Sequence, residues 1–264
     1  MTQENALIGH TGFVGGNLAR QAEFDACFNS KNIEEISGRA FDRLVFSGAQ
    51  AKKWWANQNP EEDWAGIARA LAAMRDVTAA RPVLISTVDV LGASKPLADE
   101  AAPVMTEGLH AYGLNRLRLE EAFRAQFPHG LIVRLPGLFG PGLKKNVLYD
   151  LAHDNILDKI NPASSFQYYD LGRLAADIET AEKADLKLVH LFAAPVATRE
   201  VVDRFFPGKE VGSDAAPEAH YDYRTRHGAL FGGDGCYIES AESVIARMAR
   251  FFESEYGLKS QETP

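Results

Sequence analysis

Residues 7 to 18 read Leu7-Ile8-Gly9-His10-Thr11-Gly12-Phe13-Val14-Gly15-Gly16-Asn17-Leu18. A short apolar run, residues 6–8, leads into Gly9, Gly12 and Gly15, and a segment of helical period follows. Glycine lets the backbone turn sharply and approach a neighbour where a Cβ would obstruct it. A helix opening directly after such a turn offers unbonded N–H groups and the positive end of its dipole. A pyrophosphate can be held there without a cationic side chain. The competing reading is a tight strand-to-helix turn with no ligand. His10 inside the loop is read as a local packing or hydrogen-bonding group.

Outward from this stretch, short apolar runs alternate with segments of helical period, the pattern of a parallel sheet with crossover helices. Strands are expected at 6–8, 24–28, 43–46, 83–87, 131–135 and 186–192. Helices are expected near 13–21, 32–36, 63–75, 112–127 and 171–181. The crossover after the second strand is close to the minimum for a parallel connection, so its helix must be short. A last amphipathic helix, about 240–256, carries Val244, Ile245, Met248 and Phe251 on one stripe. The region from about 201 to 235 lacks periodicity and reads as an irregular lobe. The expected fold is α/β, a Rossmann-type parallel sheet with flanking helices and a small C-terminal substrate lobe.

The bulk numbers bound the function. A chain of 264 residues, 46% hydrophobic and 24% charged, has ample length to bury a core as one large domain or a domain with a smaller lobe. A formal charge of −8 with no Lys/Arg run argues against nucleic acid, whose phosphates need a clustered basic face. The two cysteines, Cys27 and Cys236, are too few for a disulfide framework and are not spaced as metal ligands. No basic segment precedes an apolar stretch at the N-terminus, and no apolar run is long enough to span a membrane. A cytoplasmic protein with no membrane partner is expected.

A dinucleotide-binding unit usually places an Asp or Glu at the end of its second strand, where it takes the adenosine ribose diol of NAD. Here that strand ends Phe28-Asn29-Ser30-Lys31-Asn32, with no carboxylate. Asn29, Ser30 and Lys31 suit the 2′-phosphate of NADP, with NAD as the alternative and a solvated turn as the reading without a ligand.

Further motifs stand in order behind the glycine loop. Leu84-Ile85-Ser86-Thr87-Val88-Asp89-Val90-Leu91-Gly92 ends a strand with Thr87 five residues before Gly92, and Tyr112-Gly113-Leu114-Asn115-Arg116 follows. Then come Arg134-Leu135-Pro136-Gly137-Leu138-Phe139-Gly140-Pro141-Gly142, Phe166-Gln167-Tyr168-Tyr169-Asp170-Leu171 and Val196-Ala197-Thr198-Arg199-Glu200-Val201. Together they resemble the extended short-chain dehydrogenase/reductases, the group of nucleotide-sugar epimerases, dehydratases and reductases. The resemblance covers nearly the whole chain.

The resemblance implies a nicotinamide dinucleotide bound by Gly9, Thr11, Gly12, Phe13, Val14, Gly15, Asn29, Ser30, Lys31, Ser47, Gly48, Ala49, Ser86, Tyr112, Arg116, Leu135, Pro136 and Leu138. It implies Tyr112 as general acid/base, Thr87 as the group that polarises the reacting oxygen, and Arg116 in place of the family's lysine. Residues four apart share a helical face, so Arg116 can approach Tyr112 and lower its pKa. The alternative is a binding-only site in which Arg116 solvates the helix.

A dinucleotide-binding domain, 1–141 with 166–199, is expected beside a small substrate lobe, 142–165 with 200–264. Lys144, Lys145 and Asn146, with Arg173, Arg224 and Arg226, are the groups that could meet the diphosphate of a nucleotide-linked sugar. Trp54 and Trp55 follow the third strand, where packing is as good a role as binding. The expected activity is that of an oxidoreductase, epimerase or dehydratase on a sugar hydroxyl or carbonyl. The alternative is a dinucleotide-binding redox sensor or assembly protein without turnover. The resemblance also implies a homodimer formed through the helices at 63–75 and 112–127.

Overall fold

The computed structural model describes residues 4–92, 97–212 and 217–261. The described chain forms two compact units, one running to Leu135 and including Gly172–His190, the other comprising Pro136–Leu171 and the residues from Leu191 onward.

The first unit runs β1 (Asn5–Ile8), α1 (Phe13–Leu18), β2 (Ala26–Phe28), β3 (Ala40–Phe46), α2 (Lys53–Gln58), α3 (Pro60–Met74), β4 (Thr78–Thr87), α4 (Ala111–Gln126) and β5 (Leu131–Leu135). The chain then builds β6 (Gly137–Phe139), α5 (Val147–Ala152), β7 (Ser165–Phe166) and β8 (Tyr168–Asp170) in the second unit. It returns to the first with α6 (Leu174–Lys183) and β9 (Leu188–His190), and finishes in the second with β10 (Val196–Ala197), α7 (Thr198–Phe205) and α8 (Ala241–Tyr256).

Six strands form one parallel sheet in the order β2-β1-β3-β4-β5-β9. This is the Rossmann-like α/β fold. Leu7 lies beside Cys27 on one side and Val45 on the other, so the strand order reverses at β1 and β3. In such sheets the crevice outside the carboxyl ends of the two strands at the reversal is where ligands bind. β5 is buried along its whole length, as a strand covered on both faces must be. One apolar layer gathers Phe28, Ile33, Ile36, Phe41 and Phe46 with Phe123 of α4 and Phe127 at its C-terminal cap.

Elements depart from the sequence pattern where they are short. The crossover after β2 holds only a 3-10 turn, Ile33–Ile36, with both isoleucines buried. α1 ends at Leu18 rather than near 21, its interior weakened by the adjacent Gly15 and Gly16. α2 and α5 were not expected, because six residues are too few to display a helical period. The stretch expected to be irregular from 201 starts inside α7, whose Val201, Val202 and Phe205 form a buried stripe.

In the second unit Ser240 caps α8, its Oγ accepting from the Ser243 N–H at 3.2 Å, and Gly257 ends the helix at φ 67°. Phe251 and Phe252 pack with Phe139, Phe205 and Phe206. Buried Gln167 donates to the carbonyls of Ala193 and Tyr223 and accepts from the Tyr223 N–H, closing the polar groups beside β8. No helix among the described residues is long and apolar enough to cross a membrane.

The sheet interior of the first unit holds a charged pair. Arg134 of β5 grips Glu120 of α4 in a two-point fork at 2.9 and 2.7 Å, and Ser86 donates to the same carboxylate at 2.6 Å. Burial works against the charge on Glu120, but the Arg134 contacts, with Ser86 and Arg124, outweigh it and hold the carboxyl below its usual range. A carboxylate with a lowered folded pKa adds stability above its unfolded value of about 4.3, and that stability is lost as the pH falls through the folded value. Glu120→Gln should therefore cost about 3–5 kcal/mol at pH 7 by stranding Arg134. Urea unfolding should also give the variant a shallower loss of stability between neutral and acidic pH than the wild type.

Candidate active site

The glycine loop is built by backbone packed on backbone. Gly9 takes φ +90°, and a Cβ there would stand 2.6 Å from the Ser47 carbonyl oxygen. A Cβ on Gly15 would stand 2.2 Å from the Gly9 carbonyl oxygen, which already accepts the Gly12 N–H at 2.9 Å. Two of the three glycines are thus demanded by the turn itself. Gly12 is less constrained: it is exposed, a Cβ would stand 3.3 Å from the Gly9 carbonyl oxygen, tight but short of the clashes at Gly9 and Gly15, and it caps α1 without any side chain over the helix start. His10 Nδ1 lies 3.1 Å from the Phe28 carbonyl, so the imidazole ties the loop to the end of β2.

Beyond β2, Asn29 Oδ1 accepts from the Lys31 N–H at 2.8 Å, and Asn32 Oδ1 from the Asn29 N–H at 2.8 Å. The closed turn leaves the Ser30 and Lys31 side chains in solvent. Two other expected contacts serve the framework. Ser47 Oγ donates to the Ile8 carbonyl at 2.9 Å, and Ser86 belongs to the Glu120–Arg134 pair. Leu135 and Pro136 are buried, and Leu138 is half-buried.

At the carboxyl edge of the same sheet, Thr87 ends β4. Its Oγ1 accepts from the Asp89 N–H at 3.2 Å and donates to Asp89 Oδ2 at 3.0 Å. The other carboxylate oxygen meets Lys53 Nζ of α2 at 2.5 Å and His110 Nε2 at 3.4 Å. His110 caps α4, with Nδ1 accepting from the Gly113 N–H at 3.0 Å, an arrangement that leaves its proton on Nε2, facing Asp89. Gly113 is seated directly on the Asp89 carbonyl oxygen, 2.5 Å from where a Cβ would be. Tyr112 follows His110, its N–H donating to Asn57 Oδ1 at 2.9 Å and its ring centroid 6.1 Å from the imidazole. Thr87 and Tyr112 are therefore brought into one cluster with three groups the sequence did not single out: Asp89, His110 and Lys53. Asp89 stood in view between Thr87 and Gly92. Lys53 had no local signal.

Burial opposes the charge on Asp89, but His110, Lys53 and Thr87 outweigh it and hold the carboxyl down at about 2. Tyr112 moves the other way. Burial pushes its hydroxyl above tyrosine's usual value; Arg116 pulls it down, while Asp89 and Asp63 push it up. This corrects the expectation that Arg116 brings Tyr112 toward neutrality. The reason is the burial of Tyr112, which outweighs the downward pull of Arg116; Arg116 is itself buried and forks onto Asp63 of α3 at 2.7 and 2.9 Å while also donating to the Gln50 carbonyl. Its guanidinium sits 4.2 Å from the centre of the Tyr112 ring, yet its charge is paired and its donors are committed within the protein.

The expected substrate groups are also partly spent. Asn146 caps α5, accepting from the N–H groups of Leu148 and Tyr149 and donating to the Leu138 carbonyl, so it is a structural cap rather than a free amide. Arg173 pairs with Asp177 at 3.1 Å, four residues on, and both are largely buried. Lys144 and Lys145 are exposed, and Arg224 lies 4.0 Å from Asp222. Trp54 is exposed on α2 and Trp55 half-buried.

No protein-family model matches the chain, and no curated protein matches it. Solved structures do match. The dTDP-glucose 4,6-dehydratase of Streptomyces venezuelae, a double mutant with NAD bound, superposes with a TM-score of 0.70 at 15% identity, over 97% of this chain and 98% of its own. The dTDP-4-dehydrorhamnose reductase of Bacillus anthracis, in complex with NADP, gives 0.69 at 15% identity over 96% and 100%. The UDP-glucose 4-epimerase of Thermotoga maritima, with UDP-glucose, gives 0.65 at 13% identity over 83% and 89%. At these identities the likeness is one of fold.

Replacing Arg116 tests its structural commitment. Arg116→Ala strands Asp63 in the interior and should cost about 3–5 kcal/mol in denaturant unfolding. Arg116→Lys keeps the charge but loses the fork, so it should still destabilise measurably, by less than the alanine variant.

Proposed function

We propose that this chain is a nicotinamide-dinucleotide-dependent enzyme acting on a carbonyl or hydroxyl of a nucleotide-linked sugar. The observation that carries the reading is that the glycine loop, Thr87 and Tyr112 all stand at the carboxyl edge of one parallel sheet, at and beside its switch point. The likeness in fold to enzymes of nucleotide sugars holding NAD or NADP supports the same reading.

The residues present fit a dinucleotide at one end and depart from expectation at the other. Gly12, exposed at an uncapped helix start, leaves room for a pyrophosphate against the backbone of Thr11, Phe13 and Val14. The carboxylate-free turn at Asn29, Ser30 and Lys31 suits NADP better than NAD. Arg116 does not suit the ribose hydroxyls, because Asp63 and Gln50 hold it.

When bound, the nicotinamide supplies hydride exchange. Tyr112, kept protonated by its burial, donates its proton to a substrate carbonyl oxygen or takes it back from the alcohol. Thr87 has turned its single proton to Asp89, so toward substrate it offers a lone pair and takes a hydrogen bond from a sugar hydroxyl. Lys144, Lys145 and Arg224 are the basic groups this reading assigns to a diphosphate. A homodimer through the outward faces of α3 and α4 belongs to the same reading, and sedimentation at micromolar concentration tests it.

A second reading, dinucleotide binding without turnover, draws on the commitment of Arg116. Tyr112→Phe separates the two. It should leave fold and cofactor affinity intact and reduce turnover of dTDP- or UDP-sugars by about 10²–10⁴-fold. Equal turnover by wild type and variant overturns the acid/base role. NADPH should bind more tightly than NADH in a thermal-shift titration, and Lys31→Glu should narrow or invert the preference. Equal affinities unchanged by the substitution count against the assignment of the β2 turn.

A further inference from the structure

Arg116 is the nearest cation to Tyr112 in sequence, and its charge is already answered by Asp63 in a buried fork. Asp89 is the other carboxylate acting on Tyr112. It is gripped from three elements: Thr87 of β4 at 3.0 Å, His110 at the start of α4 at 3.4 Å, and Lys53 of α2 at 2.5 Å. His110 presents an N–H dipole while its Nδ1 accepts the Gly113 N–H, so Lys53 is the member of this group that brings a full positive charge. Its side chain is 43% exposed, against 17% for Asp89, so the ammonium closes the solvent side of the carboxylate.

We propose that Lys53 is a positioning residue of the site, which neutralises and orients Asp89 and thereby sets the proton affinity of Tyr112 and the direction of the Thr87 hydrogen bond. This rests on the acid/base reading of Tyr112 given above. Beside the direct pull of Arg116 on Tyr112, a second cation is brought from another helix, a compact ammonium that acts through a carboxylate. With Lys53 in place, Asp89 is a fixed acceptor, and Thr87 keeps its proton turned to it. Without Lys53, Asp89 keeps the hydrogen bonds of His110 and Thr87 but loses the full positive charge beside it. A like charge close to an ionising phenol disfavours the phenolate. The groups facing Tyr112 are then Asp89 and His110 on one side and the Arg116–Asp63 pair on the other.

Titrating Tyr112 directly tests this without cofactor or substrate. Isotope-labelled tyrosine NMR, with the resonance assigned by Tyr112→Phe, should show Lys53→Met raising the Tyr112 titration by about 1 pH unit. Asp89→Asn should lower it, and the double variant should return near wild type because opposite charges are removed together. Lys53→Arg should keep the wild-type value. Unchanged titration in Lys53→Met, or a shift of the same sign in Asp89→Asn, overturns the proposal. Melting curves on each variant exclude unfolding as the cause, and Lys53→Arg against Lys53→Met keeps the comparison open if Asp89→Asn fails to fold. The thermal shift with NADPH tests the dinucleotide reading separately, so failure of one is told apart from failure of the other.

Discussion

The buried fork between Arg116 and Asp63 is the contact on which the arrangement of the site depends. It joins α4 to α3, and Asn115 reinforces it by donating to the same carboxylate at 3.0 Å and to the Pro60 carbonyl at 2.8 Å. Through the Gln50 carbonyl, Arg116 also ties α4 to the segment leaving β3. Tyr112 lies one turn before Arg116 on the same helix, with the guanidinium against its ring. A guanidinium can make this three-way contact because its donors are fixed in a plane; an ammonium cannot. The fork therefore places the tyrosine, and the guanidinium it holds there pulls the phenol's pKa down against the larger push of burial.

The charge balance at Tyr112 is shared between Arg116, which lowers its pKa, and the carboxylates of Asp89 and Asp63, which raise it. Asp89 is in turn held by a group drawn from β4, α2 and the cap of α4. Burial favours the protonated phenol, and the carboxylates on either side favour it further. A phenol so held keeps its proton at neutral pH, as the proposed acid role of Tyr112 requires. The glycine loop supplies the other half of the arrangement, a helix start with no side-chain cap, proposed to take an anion, held two strands away on the same sheet edge.

What could be read from the sequence follows the range of each interaction. The glycine loop, the parallel strands and α8 were legible because their signals are local: glycine spacing, continuous apolar runs, and a capped amphipathic stripe bounded by Ser240 and Gly257. Thr87 and Tyr112 were legible as members of a spaced pair, and the structure brings them to one cluster. The fate of Arg116 was not, because Asp63 lies in a different helix and nothing near Arg116 in sequence announces it. Lys53 and Asp89 meet for the same reason only in three dimensions. The short α2 and α5 escaped because one and a half turns carry no period, and Asn146 read as a ligand when its amide was the cap of α5.

The proposed function requires an anion to bind at the helix start at Gly12, and the most direct measurement sets anion binding against helix stability at that residue. Aspartate is among the best N-cap residues, which offsets the tight approach of its Cβ to the Gly9 carbonyl oxygen, so Gly12→Asp should stay folded, as its melting curve checks, while placing a negative charge where the pyrophosphate must sit. Calorimetric titration with NADPH should give saturable binding to one site per chain in the wild type and at least a hundredfold weaker binding in the folded variant. Equal binding by both proteins, or none by the wild type, would contradict the account.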